Sequence, residues 1–315
     1  MKNHKRTITI ISLMTPISNL ALANPSTFSP MLVSPAQNQR FQESRVDSQY
    51  THSTRSALTE NPNTNVKEEN ETSGHRIEAK GFHKLEQLPA TLGISSAYDN
   101  QTTGEGSATE SDQTVKSVTP SMSYSLREDT TIGAEVGLYT VDQQAQINDA
   151  SSQSDDSYMR TALGANYKKE QWEAGLSYTP QVEDHNIPES LKIHGSYQVT
   201  PIISAGGIIE RVAYEKMDED SKNIIKTSLV AEANPVPQIN IHGLYQYKPA
   251  HFKQKEQMNF DNIGSQKVLM GADYSISHQM KVGGFIADEF AEESYQQTAY
   301  EDDELTVGIR AGLDI

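Results

Sequence analysis

The chain predicts an all-β fold: a closed antiparallel barrel of about twelve strands that crosses a membrane, preceded by a disordered N-terminal tail. Three observations predict it. Segments of about ten residues with alternating apolar and polar side chains recur from Pro89 to the end of the chain. Their connections are alternately short and long. The phase opposite the apolar one carries roughly one charge per strand, which a dry core could not hold without a large desolvation cost.

Composition excludes the main alternatives. The 315 residues are 35% hydrophobic with a mean hydropathy of -0.62, low for a packed soluble core of this length. With no cysteine there is neither a disulfide framework nor a thiolate nucleophile or metal ligand. A formal net charge of -16 argues against nucleic acid as a partner and favours cations at the surface.

Residues 1–23 have the three parts of an export signal. Lys2, Lys5 and Arg6 precede an apolar run from Ile8 to Leu22, and Ala21-Leu22-Ala23 offers a small-residue cleavage site. The run is too short to span a bilayer as a helix. Residues 24–88 are rich in Ser, Thr, Asn, Gln, Glu and Pro with no sustained period, so they read as a disordered tail, periplasmic or lumenal. As such it serves as an unoccupied tether, contacts the cell wall, plugs the lumen or threads it.

The barrel then reads as one unit, residues 89–315. Its first four strands fall at 90–99, 117–127, 130–141 and 157–168, the next four at 171–180, 189–199, 201–215 and 223–233, and the last four at 238–248, 266–277, 279–290 and 304–315. The third shows the pattern most plainly: Ile132, Ala134, Val136 and Leu138 share one phase, Gly133, Glu135, Gly137 and Tyr139 the other. The seventh, "IISAGGIIERV", does not decide between its two phases.

Connections such as "EDT", "KEQ", "TP", "NPVP" and "SHQ" are tight turns, whereas "NQTTGEGSATESDQT", "DQQAQINDASSQSDD" and "PAHFKQKEQMNFDNIGS" are long and polar. Tyr124, Tyr167, Trp172, Tyr197 and Tyr274 all lie near the short-turn end on the apolar phase, where they form an interfacial aromatic girdle. On the opposite phase fall Glu135, Arg160, Glu173, Lys192, His194, Lys226, Glu232, His242, Asp273, Lys281 and Arg310, with Glu289 beside them. They are expected to line a water-filled lumen and to set its selectivity; twelve strands enclose a modest pore.

In this arrangement residues 89–315 resemble the Gram-negative outer-membrane β-barrels of the porin-like superfamily, and residues 1–23 resemble their export signals. The likeness is one of architecture, and the final strand keeps its apolar alternation but ends in Ile315 rather than an aromatic residue. The resemblance implies the cell outer membrane, contact with its lipid and lipopolysaccharide, and the barrel-assembly machinery as a partner in biogenesis. The expected function is a channel for small polar solutes or cations, with no enzymatic activity and no cofactor. A surface or structural barrel acting in adhesion or envelope anchoring is the alternative, and a barrel hydrolase a third.

Other candidate chemistry weighs less. Asp184 beside His185 has no positioned serine or second acid to complete a site, so a solvated loop accounts for it. His194 and His242 could gate a pore or bind metal, yet three strands separate them, and lumen-lining roles suffice. The acidic runs at 217–222 and 300–304 lack calcium-loop spacing and read as a cation-attracting rim. No apolar phase from Pro89 onward holds a histidine, which counts against a phospholipase-like site.

Overall fold

The computed structural model describes residues 36–37, 44–61, 66–104, 109–147, 150–185, 187–214, 222–249, 264–295 and 298–315. Among them are fourteen strands: β1 (Arg45–Asn61), β2 (Val66–Lys84), β3 (Ala90–Thr103), β4 (Thr109–Ser125), β5 (Thr130–Ile147), β6 (Ala150–Lys169), β7 (Trp172–Thr179), β8 (Glu189–Thr200), β9 (Ile203–Tyr214), β10 (Lys222–Val236), β11 (Ile239–Lys248), β12 (Ser265–Ser275), β13 (Met280–Tyr295) and β14 (Thr298–Asp314). Each pairs antiparallel with its neighbour in sequence, and β14 returns to β1 to close the barrel. Closure gives every strand a neighbour on both sides across the apolar band and so leaves no sheet edge for lipid to meet.

The strand count of twelve is therefore corrected to fourteen, and the barrel begins at Arg45 rather than Pro89. The first hairpin lies inside the segment expected to be disordered. Its alternation is disguised because the outward phase of β1 and β2 mixes Val46, Tyr50 and Ile77 with Ser48, His52 and His75. The hairpin is held by its partners instead. Arg45 pairs with Asp314 across the closing seam at 2.8 Å, and Arg55 pairs with Asp302 higher up the same seam. The export signal at 1–23 lies outside the described residues.

One rim carries the tight turns expected, among them the two-residue turn Glu170-Gln171 between β6 and β7, where Glu170 adopts a φ of 53°. The other rim differs from expectation. Most of "NQTTGEGSATESDQT" and "DQQAQINDASSQSDD" continues the strands rather than forming loops, so β3 to β6 rise well past the apolar band. The acidic stretch 300–304 is likewise strand, in β14. The run 217–222 lies outside the described residues but for Lys222.

The band that meets lipid is legible in the exposed apolar side chains. Ile132, Leu163, Leu176, Ile193, Ile209, Ile286 and Ile309 all lie on outward phases, and Trp172 is 64% exposed. Burying these in water would be unfavourable; covering them with hydrocarbon is not. Tyr124, Tyr167, Trp172 and Tyr274 share that outward phase at the short-turn rim, and the Trp172 and Tyr197 rings meet with centroids 4.4 Å apart. The band ends above where charges turn outward, at the Lys116–Asp142 pair and at Arg211 with Glu189. Inside it, Pro120 lacks an amide hydrogen, and the β4–β5 ladder skips from Val118↔Leu138 to Ser121↔Glu135.

Candidate functional site

The inward phase is set by the two-residue period of the strands, so one register fixes the whole lining. Glu135 (β5), Arg160 (β6), Glu173 (β7), Lys192 and His194 (β8), Lys226 and Glu232 (β10), His242 (β11), Asp273 (β12), Lys281 (β13) and Arg310 (β14) all fall on it. Of these, Glu173, His194, Glu232, His242, Asp273, Lys281 and Arg310 are buried. They do not stand as separate lumen charges but knit into networks.

Near the short-turn end, Arg310 Nη2 donates to Asp273 Oδ2 at 2.6 Å and lies 3.1 Å from His242 Nε2. A β-carbon at Gly283 would collide with the Asp273 carboxylate, and one at Gly271 with the His242 ring. Glycine at both positions therefore lets these side chains lie flat along the wall. Below them Arg45 grips Asp47 through Nε at 2.8 Å, and on the adjoining strands Arg76 binds Glu78 at 2.7 Å and Asp99 at 3.3 Å. A polar pocket of about 280 Å³ opens there, lined by Arg76, Glu78, Lys80, Asp99, Glu135 and Tyr139 among others. Lys192 faces Glu210 at 3.5 Å.

Ala36 and Gln37, which precede β1, lie buried in this lumen. Gln37 is 1% exposed, its Nε2 donates to Glu173 Oε1 at 2.8 Å and stands 3.0 Å from His194 Nε2. With its amide nitrogen turned toward the pair, Asn166 donates to Glu173 Oε1 at 3.0 Å and to His194 Nε2 at 3.1 Å. His194 and His242 thus belong to two separate clusters, each with its own acid.

What sequence reasoning missed is an apolar row on the same inner wall. Val230 stands opposite Leu244, Leu244 opposite Leu269, and Leu269 opposite Ala287, across four consecutive strands. These four are buried, form one cluster with Ile208, and Phe285 packs against them. The row lies between two charged ones. On the outer side run Lys267, Glu289 and Glu304, with Lys267 bonded to Glu289 at 3.0 Å; on the inner side run Glu232 and His242 and, a further step in, Asp273 and Arg310. The signal existed in "IISAGGIIERV": β9 is apolar on both faces, Ile203 and Ile209 outward, Ile208 and Val212 inward.

Asp184 and His185 sit in a short turn of helix, Glu183–His185, beyond the end of β7. His185 Nε2 lies 3.0 Å from Asp156 Oδ1, and its ring meets Tyr158, which stacks on Tyr139 at 4.8 Å. The bond from His185, with that from the Ser157 amide, holds the Asp156 carboxyl below the usual carboxylate range. The loop is docked against β6, and Asp184 takes no part in the contact.

No family model and no curated protein sequence matches the chain. Its fold does match solved structures. Against the Pseudomonas putida toluene transporter TodX the TM-score is 0.69 at 11% identity, covering 97% of each chain. A Pseudomonas aeruginosa FadL homologue gives 0.67 at 9%, covering 89% of this chain and 92% of that one. The Ralstonia pickettii toluene transporter TbuX gives 0.66 at 12%, covering 90% and 93%. The fold is thus that of an outer-membrane β-barrel.

Proposed function

We propose that the barrel is an outer-membrane channel for small molecules that combine an apolar body with a polar or charged group. The observation that carries this reading is the row Val230–Leu244–Leu269–Ala287, buried on the inner wall of a lumen otherwise lined by ion pairs, where an apolar body would meet it by displacing the side chains that cover it. A purely polar solute gains nothing from that row, and a bare hydrocarbon gains nothing from Arg310, Asp273 and Lys267 around it. The similarity to toluene transporters supports the apolar half of the reading, and this chain's own charges supply the polar half. The narrower expectation, a channel for polar solutes or cations alone, gives way to it because it leaves the apolar row without a role.

In this reading Glu135, Arg160, Lys192 and Lys226, with the buried pairs around Arg310 and Glu173, select among cargo by charge. Ala36 and Gln37, bonded to the wall through Glu173, occupy part of the route. The outward tyrosines and Trp172 anchor the barrel in lipid and lipopolysaccharide. The chain supplies no reacting group that the reading needs, and it acts as a conduit rather than an enzyme.

The test is uptake into proteoliposomes containing the full protein, comparing a radiolabelled small aromatic carboxylate with a neutral sugar of similar mass. The aromatic acid is expected to enter several-fold faster, and the double variant Leu244→Asn/Leu269→Asn to erase that advantage. Equal entry of both solutes, unchanged in the variant, would return the protein to the polar-channel reading.

A further inference from the structure

The outer wall of the first hairpin carries a cluster that the lumen does not explain. His52 on β1 and His75 on β2 stand directly opposite each other on the outward phase. Their rings stack with centroids 4.6 Å apart, and their Nδ1 atoms approach to 3.3 Å. Tyr50, two residues before His52, places its hydroxyl 2.8 Å from His75 Nδ1. Tyr50 Oη and His52 Nδ1 thus both approach His75 Nδ1 on a two-stranded platform.

The spacing is informative. Two nitrogens bound at about 2.0–2.1 Å to one tetrahedral ion stand about 3.3–3.4 Å apart, and the stacked rings, 27° from parallel, would turn about their Cβ–Cγ bonds to aim both lone pairs at it. An Nδ1–Nδ1 approach between neutral rings needs a proton on one of them, and His52 Nδ1 also lies 3.1 Å from the Gly74 carbonyl that would accept it. Moving that proton to the ring's other nitrogen through water frees both Nδ1 lone pairs for a cation. Among the described residues no group of three or more His, Cys, Asp or Glu converges, so the remaining ligands would be the Tyr50 oxygen and water.

We infer that His52, His75 and Tyr50 form a site for one late first-row divalent cation of the copper, nickel or zinc class, which two imidazoles and a phenol suit better than calcium or magnesium. The lumen histidines are poorer ligands, since His242 faces the Arg310 guanidinium and His194 is engaged by Gln37 and Asn166. Access from water is available at this level of the wall: opposite His75 on β3 stands Asn100, bonded to Thr114, just past the outward Tyr98. A bound ion clamps β1 to β2, in a hairpin whose outward phase mixes polar with apolar residues.

The experiment is copper titration of the untagged full protein in detergent micelles, followed by electron paramagnetic resonance. One Cu²⁺ per chain with coupling to two imidazole nitrogens is expected. His52→Ala and His75→Ala should each weaken binding about tenfold or more, Tyr50→Phe less, and His83→Ala not at all. A heat-modifiable gel shift shows that each variant is still a folded barrel, and variants that fail it are replaced by His52→Gln and His75→Gln. Unchanged stoichiometry and spectrum in the His52/His75 double variant, or the absence of a two-nitrogen copper signal in the wild type, would overturn the assignment.

Discussion

The barrel wall has two heights. β1 to β6 with β13 and β14 run from 14 to 20 residues, while β7, β8, β9, β11 and β12 run from 8 to 12. β7 spans the band from Trp172 to Tyr178 and stops, leaving β6 from Ala150 to Ala162 without a partner on that side among the described strand pairs. The two regions also differ inside. The apolar row sits on the low strands β11 and β12 and on β10, of intermediate length at 15 residues, and reaches the tall wall only at Ala287 of β13. The tall wall carries Arg45, Arg55, Arg76, Glu78 and Asp99 in ion pairs. A wall wet on both faces is free to be polar throughout; a wall that ends at the membrane is constrained on its outer face and here also presents an apolar inner one.

The largest effect is expected where the two regions meet, at Arg310 and Asp273. Both side chains are less than a tenth exposed, so Arg310→Ala leaves a carboxylate shielded from water and without its main partner. The loss should be about 3–5 kcal/mol of stability, read from urea unfolding in detergent, and Arg310→Met with Asp273→Leu should recover most of it. If Arg310→Ala unfolds with the wild type, water in the lumen solvates Asp273 and the ionic rows are not structural.

A second substitution compares the outer faces. Ile193 on β8 lies between Leu176 and Ile209 on its neighbours, in the middle of the lipid band. Ile193→Arg should cost about 2–4 kcal/mol in bilayers. Gln144 on β5 occupies an outward position above the Lys116–Asp142 pair, and Gln144→Arg should fall within about 0.5 kcal/mol of the wild type. Equal costs would mean that the tall wall is also embedded.

The same contrast explains what the sequence disclosed. Alternation is visible only where one face meets lipid and the other water, which is why β3 to β14 were recognisable across the band. Above it both faces are wet, so the upper parts of β4, β5 and β6 read as loops. β1 and β2 were missed for a related reason: His52, His75 and Ser48 interrupt their outward phase, and their place in the barrel depends on seam pairs such as Arg45–Asp314, joined across almost the whole chain. The inward charges were legible because a two-residue period assigns each residue to a face. Their pairing was not, since Arg310, Asp273 and His242 come from three strands whose register no local pattern fixes. The ambiguity of β9 was itself the trace of the apolar row.

The smallest expected effect lies at the step between the two heights. The loop beyond β7 is docked through His185 on Asp156, and that bond holds the Asp156 carboxyl below the usual carboxylate range. A depressed carboxyl contributes above its ordinary pKa and loses that contribution as the pH falls through the folded value. The contribution of the Asp156 carboxyl to the docking should therefore be constant from neutrality down to about pH 4 and be lost only below it. Carboxyl carbon NMR of Asp156 measures this directly. In His185→Ala the titration should move up toward that of a free carboxylate, with the channel still folded. An unchanged titration would mean that the Ser157 amide alone holds the carboxyl down, and the loop would then rest on the tall wall through the His185–Tyr158 ring contact alone.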